Sequence, residues 1–223
     1  MLFICCFDAG CYTADMQVTV LGANGKVGQL VVQYLLDDGY NVAAFVHSSN
    51  SLPYHARLKI RQGDVHESDD IAAAVAGSKA VVSCLSSWHA PDKDVLSAAM
   101  QRLVPAMRQA GITRVVSLTG AGAFDLGDTP SLFYRAQHIM MNATTPKVLR
   151  DAEDHIQLLR ESRLHWTVLR SPVMNESGSR DYALQANPPA PWKTVHRHAV
   201  ARCLADMVES MEYDRQAPFI VRH

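Results

Sequence analysis

The sequence lacks an excess of charge of either sign and lacks any long apolar run. Its 21 lysine and arginine residues nearly balance its 22 aspartate and glutamate residues, which leaves a formal net charge of −1. Proteins that bind nucleic acid through charge carry a basic excess, so we expect a small-molecule partner and no nucleic acid. No apolar run approaches the roughly 20 residues of a membrane-spanning helix. We therefore expect a soluble, cytoplasmic protein without a membrane partner.

Paired cysteines and closely spaced metal ligands are also lacking. Of the five cysteines, only Cys84 and Cys203 lie in the body of the chain, far apart in sequence and in apolar settings. Disulfide scaffolds and structural zinc sites need paired or clustered ligands. We predict no metal site, and free buried thiols of the kind found in a reducing cytosol.

The first fifteen residues lack the basic region that begins a secretory signal peptide. They are apolar and contain Cys5, Cys6 and Cys11. We interpret residues 1–15 as a poorly ordered leader, which is a family-specific extension, an upstream start or an artefact of expression. A chain of 223 residues favours one domain over two, so we assign residues 16–223 to a single domain.

The clearest motif is a glycine-rich turn between a predicted strand and a predicted helix. A β-favouring run ends at Gly22, and helical spacing of apolar residues begins at Gly28. Gly22 permits a tight turn, Gly25 lets backbone N–H groups approach a pyrophosphate, and Gly28 lets the helix pack closely on the strand. A second strand at 42–46 favours a dinucleotide-binding unit over an ordinary turn. The candidate cofactor-binding residues here are Gly22, Ala23, Asn24, Gly25, Lys26, Val27 and Gly28.

The rest of the chain continues the alternation of strands and helices. Apolar runs predict strands at 58–62, 80–85, 114–119, 164–170 and 219–221, with helices at 71–77, 94–110, 147–163 and 198–211. Pro105 predicts a kink or a break in its helix. Residues 123–146 lack a period, which is typical of a functional loop or of local helix. This pattern predicts an α/β fold, a Rossmann-like doubly wound parallel sheet in a single domain.

Dinucleotide folds bind their ligand outside the carboxyl ends of the parallel strands. At these ends we expect Asp64 and Val65 to meet the adenine, although Asp64 has the alternative role of a helix N-cap. Leu85 and Ser86 follow the fourth strand at the same edge. Trp88 and His89 come next, either as part of a substrate pocket or in a solvated loop. The irregular residues 171–223 are expected on the substrate side.

Three segments resemble the atypical short-chain dehydrogenase/reductase superfamily. They are GANGKVG at 22–28, QGDV at 62–65 and WTVLRSP at 166–172. Within the superfamily, the chain most resembles NmrA-like proteins and the biliverdin reductase B (flavin reductase) group. This resemblance includes SSNSLP at 48–53 and the run at 153–172. The resemblance covers roughly residues 17–223. It implies a bound NAD(P) cofactor.

The resemblance also directs attention to catalytic residues. Ordinary members use a Tyr-x-x-x-Lys pair for proton transfer, whereas here Tyr134 precedes His138 by four positions. A loop tyrosine without a catalytic role is the favoured alternative, and Lys147 is a second candidate for the cation.

The flavin reductase group places a serine and a histidine near the nicotinamide. The matching positions here hold Gly120 and Val173, whereas Thr119 and His155 are retained. The catalytic candidates are therefore Thr119, His155 and Tyr134. The resemblance adds Thr119, Gly120, Pro172 and Val173 to the cofactor-binding candidates.

Cofactor preference depends on the residues after the second strand. NAD-selective sites place an acid there to hold the ribose hydroxyls, but this chain has His47, Ser48 and Ser49. Relatives that use NADPH carry arginines at the positions of His47 and Ser51. We predict NADP, with NAD possible, and neutral hydrogen-bond donors at 47–49.

Two functional hypotheses follow from these residues. The first is an NAD(P)H-dependent oxidoreductase that transfers a hydride to a flavin, a quinone or a similar small acceptor. The second is a non-catalytic NmrA-like redox sensor that binds a dinucleotide and acts on a regulatory protein partner. A sugar-nucleotide isomerase or epimerase is a weaker third hypothesis, because those enzymes have a larger C-terminal domain and an intact tyrosine and lysine.

Overall fold

The computed structural model describes residues 16–48, 51–88, 90–129 and 131–223. The predicted leader (1–15), Ser49 and His89 lie outside the described residues. The strands are β1 (Gln17–Leu21), β2 (Asn41–Val46), β3 (Leu58–Gln62), β4 (Ala80–Ser83), β5 (Arg114–Gly120), β6 (His165–Ser171), β7 (Val173–Asn175), β8 (Tyr182–Gln185), β9 (Thr194–His196) and β10 (Phe219–Arg222). The helices are α1 (Lys26–Asp37), α2 (Ser68–Val75), α3 (Val95–Gln109), α4 (Leu132–Thr144), α5 (Pro146–Glu161) and α6 (Arg197–Asp206).

Eight of these strands form one sheet in the order β3-β2-β1-β4-β5-β6-β10-β8. Its strands pair in parallel, except that β8 runs antiparallel to β10 at one edge. β7 and β9 form a separate parallel pair. The central position of β1, between β2 and β4, is the arrangement of a doubly wound sheet. The predicted fold class is confirmed.

Helices cover both faces of the sheet, because the central strands carry apolar side chains on both sides. One core lies between the sheet and helices α1 and α6, and it contains Val18, Val20, Val31, Leu35 and Leu204. The other core lies against α2, α3 and α5, and it contains Leu21, Ile71, Met100, Ile156 and Trp166. Alternate residues of β1 therefore enter opposite cores.

Several predicted boundaries differ from the structure. The segment without a period contains helix α4, whose first turn is capped by Ser131 accepting from the backbone N–H of Tyr134. Helix α3 continues through Pro105, which is exposed, so the proline does not end the helix. β4 ends at Ser83, two residues before the predicted end, and α6 ends at Asp206 rather than at 211. The irregular C-terminal region contains the short strands β7, β8 and β9.

Candidate functional site

The glycine-rich turn, residues 22–28, connects the end of β1 to the start of α1. Gly22 has a φ of +72° and Gly25 donates its N–H to the Gly22 carbonyl at 3.0 Å. A Cβ at Gly28 would lie 2.2 Å from the Gly22 oxygen, closer than any real contact. The turn therefore needs a left-handed residue at 22 and the absence of a side chain at 28. Gly25 is exposed, so its backbone is open to a ligand.

The first turn of α1 is open to an anion. Within the described ranges, no side chain caps this helix, and its first turn carries no acidic residue. Lys26 is its first residue and is exposed. Uncapped N–H groups and the helix dipole create a positive potential. The local electrostatics thus suit a pyrophosphate.

The turn is tied to the loop that follows β2. The Asn24 Oδ1 accepts hydrogen bonds from the Ser51 N–H at 3.2 Å and from the Ser51 hydroxyl at 3.0 Å. Gln29 Nε2 donates to the Asn24 carbonyl at 2.9 Å and to Ser51 Oγ at 3.2 Å. Asn24 and Gln29 therefore hold Ser51 against the glycine-rich turn.

Asp64 lies beside two histidines at the ends of β2 and β3. Its Oδ2 is 3.6 Å from Nε2 of His47, and its Oδ1 accepts from the His66 N–H at 2.9 Å and lies 2.9 Å from His66 Nδ1. The backbone and side-chain hydrogen bonds of His66 lower the pKa of Asp64, and the side-chain bond to Asp64 raises the pKa of His66. The N-cap of α2 is Glu67. The alternative role of Asp64 as that N-cap is therefore wrong.

Beyond β4, the chain forms a loop fastened by a lysine. Leu85 is half-buried and Ser86 is exposed. Lys93 Nζ donates to the carbonyls of Ser87 and Trp88, each at 3.1 Å, and to that of Ala90 at 2.7 Å. Three carbonyl acceptors on one ammonium group hold this loop at the edge of the sheet.

The ends of β5 and β6 lie at the same edge of the sheet. We call residues 120–129 and 171–196, which begin at these ends, the β5–β6 segments. Gly120 pairs with Ser171, and the N–H of Ala121 donates to the Ser171 carbonyl at 2.8 Å. Gly120 and Val173 are exposed, whereas Thr119 is buried and Pro172 is half-buried. The ends of β5 and β6 are therefore joined, and they present Gly120 and Val173 to solvent.

The structure places His155 and Tyr134 away from solvent. His155 is fully buried on α5, where a 2.9 Å hydrogen bond joins its Nε2 to Ser117 Oγ, and burial lowers its pKa to about 4. Tyr134 is buried, donates its hydroxyl to the carbonyls of Ala121 and Ala123, and has a pKa raised by burial. Both side chains have structural partners and do not face an open site.

Of the two candidate cations, His138 has another partner, and Lys147 lines a cleft whose lining residues do not include Tyr134. His138 Nε2 lies 2.8 Å from Glu153 Oε1, and its ring stacks on Phe124 with centroids 3.9 Å apart. Lys147 lines a polar cleft of about 390 Å³ with Asp94 and Asp151. The structure therefore brings neither side chain to the Tyr134 hydroxyl group, which donates to backbone carbonyls.

Sequence reasoning missed a buried ion pair. Arg170 on β6 donates through Nη1 and Nη2 to the two carboxylate oxygens of Asp128, at 2.5 and 2.7 Å, and through Nε to the Ala217 carbonyl at 2.7 Å. The two charged side chains are only 3% and 6% exposed. The signal in the sequence was an arginine inside an otherwise apolar strand, since a buried arginine requires a partner.

Comparisons with known proteins agree with this geometry. A family model described as NAD(P)H-binding matches residues 22–211. A 3 beta-hydroxysteroid dehydrogenase/Delta 5-->4-isomerase of Mycobacterium tuberculosis is 41% identical over 70 residues, which cover 31% of this chain and 19% of that protein. A 3-beta-hydroxysteroid dehydrogenase of Mycolicibacterium neoaurum is 30% identical over 112 residues, which cover 45% of this chain and 31% of that protein. The matches therefore span less than a third of either relative.

Solved structures share the fold over nearly the whole chain. A short-chain dehydrogenase/reductase from Veillonella parvula in complex with NADP has a TM-score of 0.74 and 20% identity, over 93% of this chain and 94% of that one. ChuY, an anaerobillin reductase from Escherichia coli O157:H7, has a TM-score of 0.72 and 19% identity, over 92% of this chain and 97% of that one.

Among the described residues, none of the helices has the length and apolar character that a membrane span requires.

Proposed function

Because the chain belongs to the NAD(P)H-binding family, we propose that it is an NAD(P)H-dependent oxidoreductase whose acceptor is a flavin, a quinone or a similar flat molecule. The observation that carries the proposal is the glycine-rich turn, where Gly28 has no room for a side chain and no side chain of the described residues caps the first turn of α1. Such a cradle suits a dinucleotide pyrophosphate.

The proposal assigns the candidate residues to successive parts of the dinucleotide. The backbone of Gly25, Lys26 and Val27, with Gly22, Ala23, Asn24 and Gly28, would hold the pyrophosphate. Asp64 and Val65 would contact the adenine, and His47, Ser48 and Ser49 the adenosine ribose. Leu85, Ser86, Thr119, Gly120, Pro172 and Val173 would contact the nicotinamide half.

NADP is the proposed cofactor because no acid follows β2 directly. The Asp64 carboxylate lies 3.6 Å from His47 Nε2, but it is engaged by His66. An aspartate at position 47 would repel a 2′-phosphate and hold the ribose hydroxyls instead. We expect His47→Asp to raise the KM for NADPH at least about tenfold relative to that for NADH, and the neutral variant His47→Asn to change that ratio much less.

A reductase on this scaffold would use water as its proton source. The nicotinamide supplies the hydride when it is bound. Tyr134 and His155 are buried and hydrogen-bonded within the protein, whereas Gly120 and Val173 leave the site open to solvent. Flavins and quinones can take up a proton from water after reduction, so this arrangement suits such acceptors.

The burial of Tyr134 and His155 favours a second candidate function, a dinucleotide-binding redox sensor without catalysis. Turnover separates the two. We expect the purified chain to oxidise NADPH, followed at 340 nm, when FMN or menadione is added. Binding of NADPH without turnover across several flavins and quinones would contradict the reductase and support the sensor.

A further inference from the structure

An exposed aromatic side chain of the β5–β6 segments meets an exposed aromatic side chain of helix α4. Phe133 on α4 is 56% exposed and Trp192 in the loop before β9 is 70% exposed. Their ring centroids are 5.4 Å apart, with the planes at 80°. The two residues are far apart in sequence, so the tertiary fold brings the rings together. Contiguous apolar surface that is left exposed commonly marks a binding site.

Both rings lie next to residues that the proposed function places around the nicotinamide half. Trp192 comes two residues before Thr194, which is paired with Val173 in the β7–β9 ladder. Phe133 comes directly before Tyr134, whose hydroxyl donates to the carbonyl of Ala121, next to Gly120. The chain segments that carry the two rings are therefore joined to β7, just after β6, through Thr194 and to the loop after β5 through Tyr134.

The geometry of the pair suits a flat ligand. Planes that meet at 80° form a corner, in which a planar ring can stack on one aromatic face while its edge meets the other. Val173, the partner of Thr194 in the β7–β9 ladder, is 69% exposed and adds apolar surface to these segments. Aromatic side chains have few rotatable bonds, so binding to them costs little conformational entropy.

We propose that Phe133 and Trp192 form the acceptor subsite and bind a planar conjugated ring system of the flavin or quinone class. This inference rests on the proposed function, because it places the acceptor beside the nicotinamide half of the cofactor site. It adds that the acceptor is recognised by aromatic stacking from α4 and from the loop before β9.

The test measures FMN binding to the full chain with saturating NADP⁺, which is oxidised and so allows no turnover. Quenching of FMN fluorescence reports stacking, and menadione competition repeats the measurement for a quinone. We expect Phe133→Ala and Trp192→Ala each to raise the Kd for FMN about tenfold, with the Kd for NADP⁺ changed by less than about twofold. The matched control is Ile139→Ala, which removes an exposed apolar side chain elsewhere on α4 and should leave FMN binding unchanged.

Three binding results would overturn the subsite. They are an unchanged FMN Kd in both ring variants, an equal loss in Ile139→Ala, and no FMN or menadione binding by a wild-type protein that binds NADP⁺. Turnover that is insensitive to the ring variants would also overturn the subsite, yet leave the proposed function standing. Ring-dependent FMN binding by a protein that binds no NADP⁺ would support the subsite and contradict the proposed function.

Discussion

The glycine-rich turn and the β5–β6 segments lie at the same edge of the sheet but are held by different interactions. In the glycine-rich turn, backbone sterics decide the conformation, as shown by the left-handed Gly22 and by Gly28 against the Gly22 carbonyl. In the β5–β6 segments, the Arg170–Asp128 pair joins β6 to the loop after β5, with little exposure of either charge.

Because of this difference, we expect the two regions to tolerate substitutions to different degrees. A backbone cradle binds phosphates that are the same in every dinucleotide, and it tolerates few changes because its glycines have no substitutes. A loop that is held by a side-chain ion pair can change its shape when one residue of the pair is substituted. The β5–β6 segments are therefore the expected source of acceptor specificity. Substitutions in the two regions should accordingly have different effects.

The largest effect is expected from Asp128→Ala. It leaves the buried Arg170 guanidinium without its carboxylate, so we expect the free energy of unfolding to fall by about 3–5 kcal/mol. Chemical denaturation measures this loss. The control is Asp38→Ala, which breaks a half-exposed pair with Arg202 and should cost at most about 1 kcal/mol. Equal losses in the two variants would show that burial of the ion pair does not stabilise the β5–β6 segments.

A pH dependence is expected from His155, which packs α5 against β5. Its pKa is lowered to about 4 in the folded state by burial, whereas the unfolded chain has an ordinary histidine. Below about pH 6.5 only the unfolded state takes up this proton, so stability falls between about pH 6.5 and pH 4 by about 3 kcal/mol. Denaturation of the wild type and of His155→Gln across this interval measures the effect. The free energy of unfolding of His155→Gln should fall less than that of the wild type over this interval. Equal falls in the two proteins would show that His155 does not cause the pH dependence.

The smallest effect is expected in the glycine-rich turn itself. Gly28→Ala places a Cβ against the Gly22 oxygen, and we expect it to cost about 2 kcal/mol of stability. Gly127→Ala is the control in the β5–β6 segments, because a Cβ there meets nothing within 4 Å, and it should change stability by less than about 0.5 kcal/mol. Equal stability of Gly28→Ala and Gly127→Ala would show that the absence of a side chain at Gly28 is not needed for the turn.

The sequence predicted the glycine-rich turn well because its signals are local. The change from strand spacing to helical spacing at three glycines needs no knowledge of distant residues. Helix α4 was not assigned because its apolar residues, including Leu132 and Ile139, point outward and give no buried stripe. The short strands β7 and β9 pair across an irregular loop, and neither has a pattern of its own.

The catalytic candidates illustrate a second limit. His155 and Tyr134 occupy the positions that the family resemblance indicates, but their burial depends on contacts with Ser117, Ala121 and Ala123. Arg170 and Asp128 lie 42 positions apart, and nothing local connects them. Pairings of this kind depend on the completed sheet.

Calorimetric titration of Gly25→Trp with NADPH shows whether the glycine-rich turn binds the dinucleotide. Gly25 is exposed and has an ordinary φ, so we expect the variant to fold. A bulky side chain there would occupy the approach to the uncapped turn of α1. We expect tight NADPH binding by the wild type and none by a folded Gly25→Trp variant. Wild-type affinity in that variant would contradict it, as would a wild type that binds neither NADPH nor NADH.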